Sequence, residues 1–321
     1  MTRPKMMLPV GVHLPHTIAE VTRVFEQQVQ AGRLEGYRPV ATGFVELDEI
    51  LGGGFLSHCL LLVGGRQNVG KTIWILQAAR NVARSGTAAA VVEYEHDEVH
   101  MLHRLLCMES YLSAGDGVSP VRLTDIREAV VSAVEQGGRE SLHVILSRLP
   151  GARRAWQTIA GYLAHLLLAK AHPVKTTLDV IRTYALWLVE QYGYGVIFVD
   201  YLQKVLPALD LRDLPKEQRT TLVVYGLKDI ALETGIPIVA VSALDIEGLK
   251  REEARVDDLE GGEATKYEPD AVLMLLPERE DQTRIRFLVA KNRAGPTGVG
   301  ATYRRVGQHF VFHPEPEEGR R

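Results

Sequence analysis

Eight consecutive residues, Gly65-Arg66-Gln67-Asn68-Val69-Gly70-Lys71-Thr72, restrict what this chain can become more than any other stretch. They read G-x-x-x-x-G-K-T. An apolar run, Leu60-Leu61-Leu62-Val63, precedes them, and a helix-like run from Ile73 to Val82 follows. Strand, glycine loop and helix in that order are the setting in which such a loop cradles phosphates. Glycines let the backbone approach the anion, and the loop N–H groups and the helix N-terminus point at it. Lys71 is expected to neutralise the β- and γ-phosphates of a nucleoside triphosphate, and the Thr72 hydroxyl to ligate Mg²⁺. A chance glycine turn before a helix is the competing reading, and the agreement of the motif with both flanks counts against it.

The rest of the chain sets broader bounds. Its 321 residues are 46% hydrophobic and 24% charged, an ordinary globular balance with room for one large α/β domain. Net charge is -3, so bulk electrostatics do not advertise a nucleic-acid binder and any basic groove must be local. Cys59 and Cys107 are the only cysteines, too few for a disulfide framework or a four-cysteine zinc site. No apolar run is long enough to cross a bilayer, and the N-terminus is too short in apolar length for a signal peptide. A cytoplasmic location is expected.

Periodicity places elements around the glycine loop. Thr17-Ile18-Ala19-Glu20 is a capping-box pattern, and Ile18, Val21, Val24, Phe25 and Val29 recur at helical spacing up to Gly32. That stripe must be buried, either on its own domain or on a neighbouring subunit. Ala88 to Glu95 reads as a strand ending in acids. Residues 110–192 read mostly helical: one helix capped by Thr124, a second from about Ala152 to Leu166, a strand over Leu166–Ala169, and a helix capped by Thr177. Gly195-Val196-Ile197-Phe198-Val199-Asp200 is a buried-strand pattern ending in an acid, which the upstream loop makes a candidate to hold Mg²⁺ through water. A polar loop with Lys204, Arg212, Lys216 and Arg219 comes next, then a helix from about Leu222. Strands follow over Pro237–Ser242, Ala271–Leu276 and Arg284–Lys291. Alternating strands and helices predict an α/β fold, a mostly parallel sheet with helices on both faces. His96, His100, His103 and Cys107 share one helix face. A metal site there is weighed against a packed helix with wet histidines, and the packed helix is preferred.

Three segments carry a resemblance to a known family. Thr42-Gly43-Phe44-Val45-Glu46-Leu47-Asp48 with Gly52-Gly53 leads into the glycine loop, His103-Arg104-Leu105-Leu106-Cys107 follows Glu95, and Asp200-Tyr201-Leu202-Gln203 reads D-Y-L-Q. Together they resemble the RecA-like core of DnaB-type replicative helicases, with a secondary similarity to KaiC and RadA proteins. The resemblance implies a RecA-like P-loop NTPase that uses ATP and Mg²⁺, with Glu95 rather than Glu93 orienting the attacking water. Lys291-Asn292-Arg293-Ala294-Gly295-Pro296-Thr297-Gly298 resembles the family's closing hairpin. It implies that Arg293 is an arginine finger, with Lys291 beside it, reaching into the neighbouring subunit of a hexameric ring. The expected division is a helical arm over 1–38, an ATPase domain over 39–313 with a helical insertion at about 110–160, and a tail over 314–321.

The chain also departs from that family. With only some sixteen residues ahead of the first helix, the N-terminal domain that meets primase in DnaB proteins is expected to be absent, as are RadA's zinc module and protease-like domain. Ser242-Ala243-Leu244 stands where the family has S-Q-L, and Leu259-Glu260-Gly261-Gly262 stands where it has a DNA loop with an arginine. Ala243 cannot hydrogen-bond through its side chain, and Glu260 would repel a DNA phosphate. Lys250, Arg251, Arg255 and Lys266 lie near five acids, Glu252, Glu253, Asp257, Asp258 and Glu260. Two functions are therefore weighed. One is an ATP-driven motor on single-stranded DNA, gripped weakly through candidate loop residues Lys204, Arg212, Lys216, Arg219, Arg251 and Glu260. The other is a ring ATPase that serves as a switch or assembly scaffold.

Overall fold

In the computed structural model, residues 14–32, 36–115, 117–251 and 253–315 are described below. The first part of the arm, residues 1–13, the acid Glu252 and the tail beyond Glu315 lie outside them. Helix α1 (Ile18–Gln30) starts with the full capping box, since the Thr17 hydroxyl accepts the Glu20 N–H and the Glu20 carboxylate accepts the Thr17 N–H. None of its residues is buried, and Ile18, Val21, Val24 and Phe25 are all exposed. The apolar stripe thus has no bed on its own domain among the described residues.

From there the elements alternate: α2 (Val45–Ile50), β1 (Leu60–Gly65), α3 (Lys71–Arg84), β2 (Ala88–Glu93), α4 (Glu98–Leu112), α5 (Leu123–Glu135), α6 (Leu142–Ser147), α7 (Pro150–Ala160) and β3 (Leu166–Lys170). The second half holds α8 (Leu178–Tyr192), β4 (Gly195–Asp200), α9 (Lys216–Thr234), β5 (Ile238–Ser242), α10 (Ile246–Lys250), α11 (Glu263–Tyr267), β6 (Ala271–Pro277), β7 (Arg284–Asn292), β8 (Val299–Val306) and β9 (Val311–Pro314). One sheet runs in the order β3-β2-β4-β5-β1-β6-β7-β8-β9. β3 through β6 in that order are parallel, and the last three pairings are antiparallel.

The central strands read as continuous apolar runs because both faces are covered. Successive side chains leave opposite faces, so each strand feeds two cores. Leu61, Val63, Val91, Phe198 and Val239 join Trp74 and Leu76 of α3 and Leu106 of α4 on one face. Leu60, Leu62, Val92, Ile197 and Val199 join α8 and α9 through Ile181, Leu188, Val224 and Leu227 on the other.

Several boundaries differ from the sequence reading. Arg122, not Thr124, precedes the first turn of α5, where Asp125 accepts the Arg122 N–H. The helix expected over Ala152–Leu166 is α7, which ends at Ala160 before Gly161. Lys216 and Arg219 belong to the first turn of α9 and not to a loop, with Pro215 as the extended residue immediately before it. Two short helices, α10 and α11, occupy the segment expected as a charged loop.

Helices α3, α4 and the end of α7 are tied by a buried ion pair. Arg80 Nε and Nη2 each donate to a Glu109 carboxylate oxygen at 2.6 Å, and the Tyr162 hydroxyl donates to Glu109 Oε1 at 2.7 Å. Glu109→Ala would leave the guanidinium buried and unpaired. It is expected to lower the free energy of denaturant unfolding by about 3–5 kcal/mol. A loss under about 1 kcal/mol would mean that water reaches Arg80 freely.

Candidate functional site

The C-terminal ends of β1, β2, β4 and β5 open on a cavity of about 720 Å³, a size that accommodates a small-molecule ligand. Its lining includes Gly65, Gln67, Asn68, Gly70, Lys71 and Thr72 from the glycine loop and Glu95 and Asp200 from the strand ends. The geometry of the loop depends on unusual backbone angles. Gly70 has φ of 109°, and a Cβ there would lie 2.7 Å from the Phe312 ring, so only glycine fits. Asn68 takes the left-handed region at φ 63°, which asparagine tolerates. The N-terminus of α3 follows directly.

Lys71 lies folded over the loop, donating from Nζ to the carbonyls of Gly65 (2.7 Å) and Arg66 (2.8 Å). Burial lowers its pKa to about 8, against the opposing pull of Asp200 and Glu95. An incoming anion would reverse that shift by giving the ammonium a partner. Asp200 is buried close to the Thr72 hydroxyl and has its carboxyl pKa raised, chiefly by burial. Its Oδ2 has no hydrogen-bond partner among the described residues. A buried, orphaned carboxylate oxygen beside a threonine hydroxyl suits a hydrated divalent cation. Glu95 is exposed to the cavity while Glu93, two residues earlier, is buried. The structure thus brings together the loop, Asp200 and Glu95 as the sequence suggested.

Several lining residues carried no legible role in the sequence. Arg104 of α4 faces the cavity near Glu93, Asp200 and Glu95, and its guanidinium lies 4.9 Å from the Phe310 ring centre. Arg104 Nε donates to His100 Nε2 at 3.0 Å, and its Nη2 lies 2.8 Å from His96 Nε2. A cation therefore already sits between these histidines, and burial and Arg104 push His96 down to about 4. His96, His100 and Arg104 stand at a spacing of four, a signal that could have linked them. Arg305 Nη1 donates to the Asn68 carbonyl, and Thr283 and Phe310 line the same wall. They come from the last hairpins, more than 200 residues away, and nothing local marks them.

Lys291 and Arg293 are elsewhere. Lys291 Nζ donates to the carbonyls of Lys266 (2.6 Å) and Tyr267 (2.8 Å) at the end of α11. Arg293 pairs with Asp270 at 3.2 Å and donates to the Tyr267 carbonyl at 2.5 Å. β7 runs against β6, so its last residue, Asn292, pairs with Ala271, which stands beside Leu61 at the start of β1. β1 has 6 residues, which puts its two ends about 17 Å apart. The two cations thus sit at the sheet edge opposite their own glycine loop.

The candidate DNA residues are drawn together and largely neutralised. Lys216 pairs with Glu260 at 2.6 Å, Arg251 with Asp258 at 3.0 Å, and Arg212 with Asp213 at 3.6 Å. Arg219 donates to the Arg212 carbonyl, and Lys204 lies 5.9 Å from the Tyr201 ring centre. Gln203 donates to Ser242 Oγ and the Glu260 carbonyl, each at 3.0 Å, and accepts the Ala243 N–H at 3.2 Å. Arg66 of the glycine loop donates to the Arg251 carbonyl.

A glycine loop opening on a cavity at the carboxyl ends of parallel strands defines a P-loop α/β nucleotide-binding domain. The family model described as "DnaB-like helicase C terminal domain" matches residues 39–145 and 151–310, and the chain belongs to that family. It is 26% identical over 269 residues to the replicative DNA helicase DnaC of Bacillus subtilis (strain 168), covering 81% of this chain and 53% of that protein. It is 28% identical over 261 residues to the replicative DNA helicase DnaB of Treponema pallidum (strain Nichols), covering 81% and 52%. The chain thus spans about half the length of these relatives. Among solved structures, a DnaB-like replicative helicase, described with its interactions with primase, superposes with a TM-score of 0.71 at 18% identity, covering 94% of this chain and 68% of that one. The RadB recombinase superposes at 0.50 and 18% identity, covering 86% of this chain and all of that one. At such identities these two similarities speak for the fold. No helix among the described residues is long and apolar enough to cross a membrane.

Proposed function

We propose that residues 39–313 form the ATP-hydrolysing engine of a DnaB-like ring, with 1–38 as an arm, and that hydrolysis drives movement along single-stranded DNA. The observation that carries the reading is the division of the site. Lys71, Thr72, Asp200 and Glu95 converge on one cavity, while Lys291 and Arg293 stand at the opposite sheet edge, where only another subunit's nucleotide could meet them. Lys71 would neutralise the β- and γ-phosphates, and Thr72 and Asp200 would hold Mg²⁺, directly and through water. The bound ion supplies charge neutralisation of the phosphates. Glu95 would orient the attacking water and accept its proton, and Arg293 and Lys291 of the adjacent copy would stabilise charge on the transferred phosphoryl group. A hexamer is the assembly that family membership favours, and the exposed stripe of α1 offers a surface for contact between copies.

A second reading, a ring ATPase acting as a switch, is favoured by the pairing of Lys216 with Glu260 and by Ala243. The test is ATPase rate and single-stranded DNA binding over a salt series. The wild-type chain alone is expected to bind weakly and to gain little ATPase activity from DNA. Glu260→Arg frees Lys216 and adds a cation, so two further phosphate contacts should steepen the slope of log affinity against log salt by about 1.4. DNA should then raise the ATPase rate. A variant whose affinity and ATPase rate ignore DNA at every salt concentration would sink the motor and leave the switch.

A further inference from the structure

Glu93 has no part in the steps above, yet it is an acid only 3% exposed, next to Asp200, which lines the cavity. It ends β2 directly beside Asp200, its register partner on β4. Burying a carboxylate is costly without compensating partners, and its Oε2 has no hydrogen-bond partner among the described residues, although the Arg104 charge lies near. Its Oε1 does have partners. It accepts the backbone N–H of Glu95 at 2.8 Å and that of His96 at 3.2 Å. We propose that Glu93 is the positioning residue for Glu95: by gathering two consecutive amides onto one oxygen, it fixes where the Glu95 backbone leaves the strand and so where its carboxylate enters the cavity. This rests on the reading of Glu95 as the water-orienting group.

The residues flanking Glu95 explain why such an anchor is needed. Tyr94 is held firmly, its N–H on the Asp200 carbonyl (3.0 Å) and its hydroxyl on the Thr176 carbonyl (2.9 Å). Asp97 is held as the N-cap of α4, accepting the His100 N–H at 2.7 Å. Between them, Glu95 and His96 form a two-residue span outside any helix or strand. The Glu95 side chain is exposed, so its position is inherited from its backbone. A carboxylate that orients water must stand within hydrogen-bond reach of it, and misplacement by about 1 Å costs on the order of 10²-fold in rate.

The test uses the whole chain and three variants. Glu93→Leu removes the acceptor; it should lower kcat on the order of 10²-fold while KM and binding of a non-hydrolysable ATP analogue change less than about threefold. Glu93→Gln keeps an accepting oxygen in the same place and should recover at least about tenfold of that loss. Glu95→Gln should be inactive whatever stands at 93. Amide hydrogen exchange supplies a readout independent of turnover: the Glu95 and His96 N–H groups should be protected in the wild type and Glu93→Gln, and exchange faster in Glu93→Leu. Unprotected amides in the wild type, or wild-type kcat in Glu93→Leu, would overturn the proposal. So would Glu93→Gln as inactive as Glu95→Gln, because Glu93 would then act on the water itself. A wild-type chain without ATPase activity would instead overturn the ATPase reading, and the exchange rates would still decide whether Glu93 holds the span.

Discussion

An Arg293→Ala chain is expected to hydrolyse ATP on the order of 10³-fold more slowly than the wild type, and to regain activity when mixed with an equally inactive Lys71→Ala chain. The first variant retains an intact glycine loop and the second an intact finger, so mixed assemblies rebuild complete sites between unlike neighbours. The expectation comes from distance. Arg293 lies on Asp270 and the Tyr267 carbonyl, and one chain cannot carry it from that edge of the sheet to its own Lys71 without dismantling β7. Asp270 also accepts the Leu60 N–H at 2.8 Å and pairs with Lys228 at 2.7 Å, so the residue that docks Arg293 is itself anchored in the core edge. Two measurements decide the matter. Turnover in mixtures should pass through a maximum with mixing ratio, and sedimentation should show the active species to be an oligomer. Full activity in a strictly monomeric protein would refute a site shared between subunits.

Glu95→Gln is expected to bind Mg²⁺·ATP with near wild-type affinity and to lose turnover by about 10²–10⁴-fold. The substitution keeps the size of the side chain and removes the charge proposed to orient and deprotonate water, so the loss should fall on kcat. Lys71→Ala behaves differently. It removes the cation that the folded loop holds beside two carbonyls, and nucleotide binding itself should weaken. Equilibrium titration with a fluorescent ATP analogue, beside steady-state rates, separates the two. Wild-type hydrolysis by Glu95→Gln would move the water-orienting role to Glu93, the other glutamate at that strand end.

The cavity was legible in the sequence to the extent that its parts are local. The glycine loop needs its residues at fixed short spacing between a strand and a helix, so Gly65 to Thr72 announce both the ligand class and the fold around it. Asp200 was legible because a strand buried on both faces is a continuous apolar run, and an acid ending such a run stands at the sheet's carboxyl edge, where ligands bind; the same pattern ends β2 at Glu93, and only the family resemblance singled out Glu95 two residues beyond. The capping box of α1 was legible for the same reason: its two hydrogen bonds join residues three apart. By contrast, the start of α9 was misplaced, because the polar residues from Lys216 to Arg219 look like loop and only Pro215 marks the helix entry.

By itself, then, the sequence determined that this chain carries a phosphate-binding loop between β1 and α3, within an alternating α/β sheet. Backbone geometry and hydrophobic periodicity are properties of neighbours in the chain. Only the tertiary structure decided what surrounds that loop. Arg305 reaches the Asn68 carbonyl and Phe310 stacks beneath Arg104 because the antiparallel hairpins at the end of the chain close over the cavity. Lys216 meets Glu260, and Gln203 joins Ser242 to the Glu260 carbonyl, because β4 and β5 are adjacent in the sheet and both connections leave from the same edge. Lys291 and Arg293 face away from their own glycine loop because β7 runs antiparallel to β6. These are contacts between segments far apart in the chain, set by strand order and direction, and no spacing in the sequence encodes them.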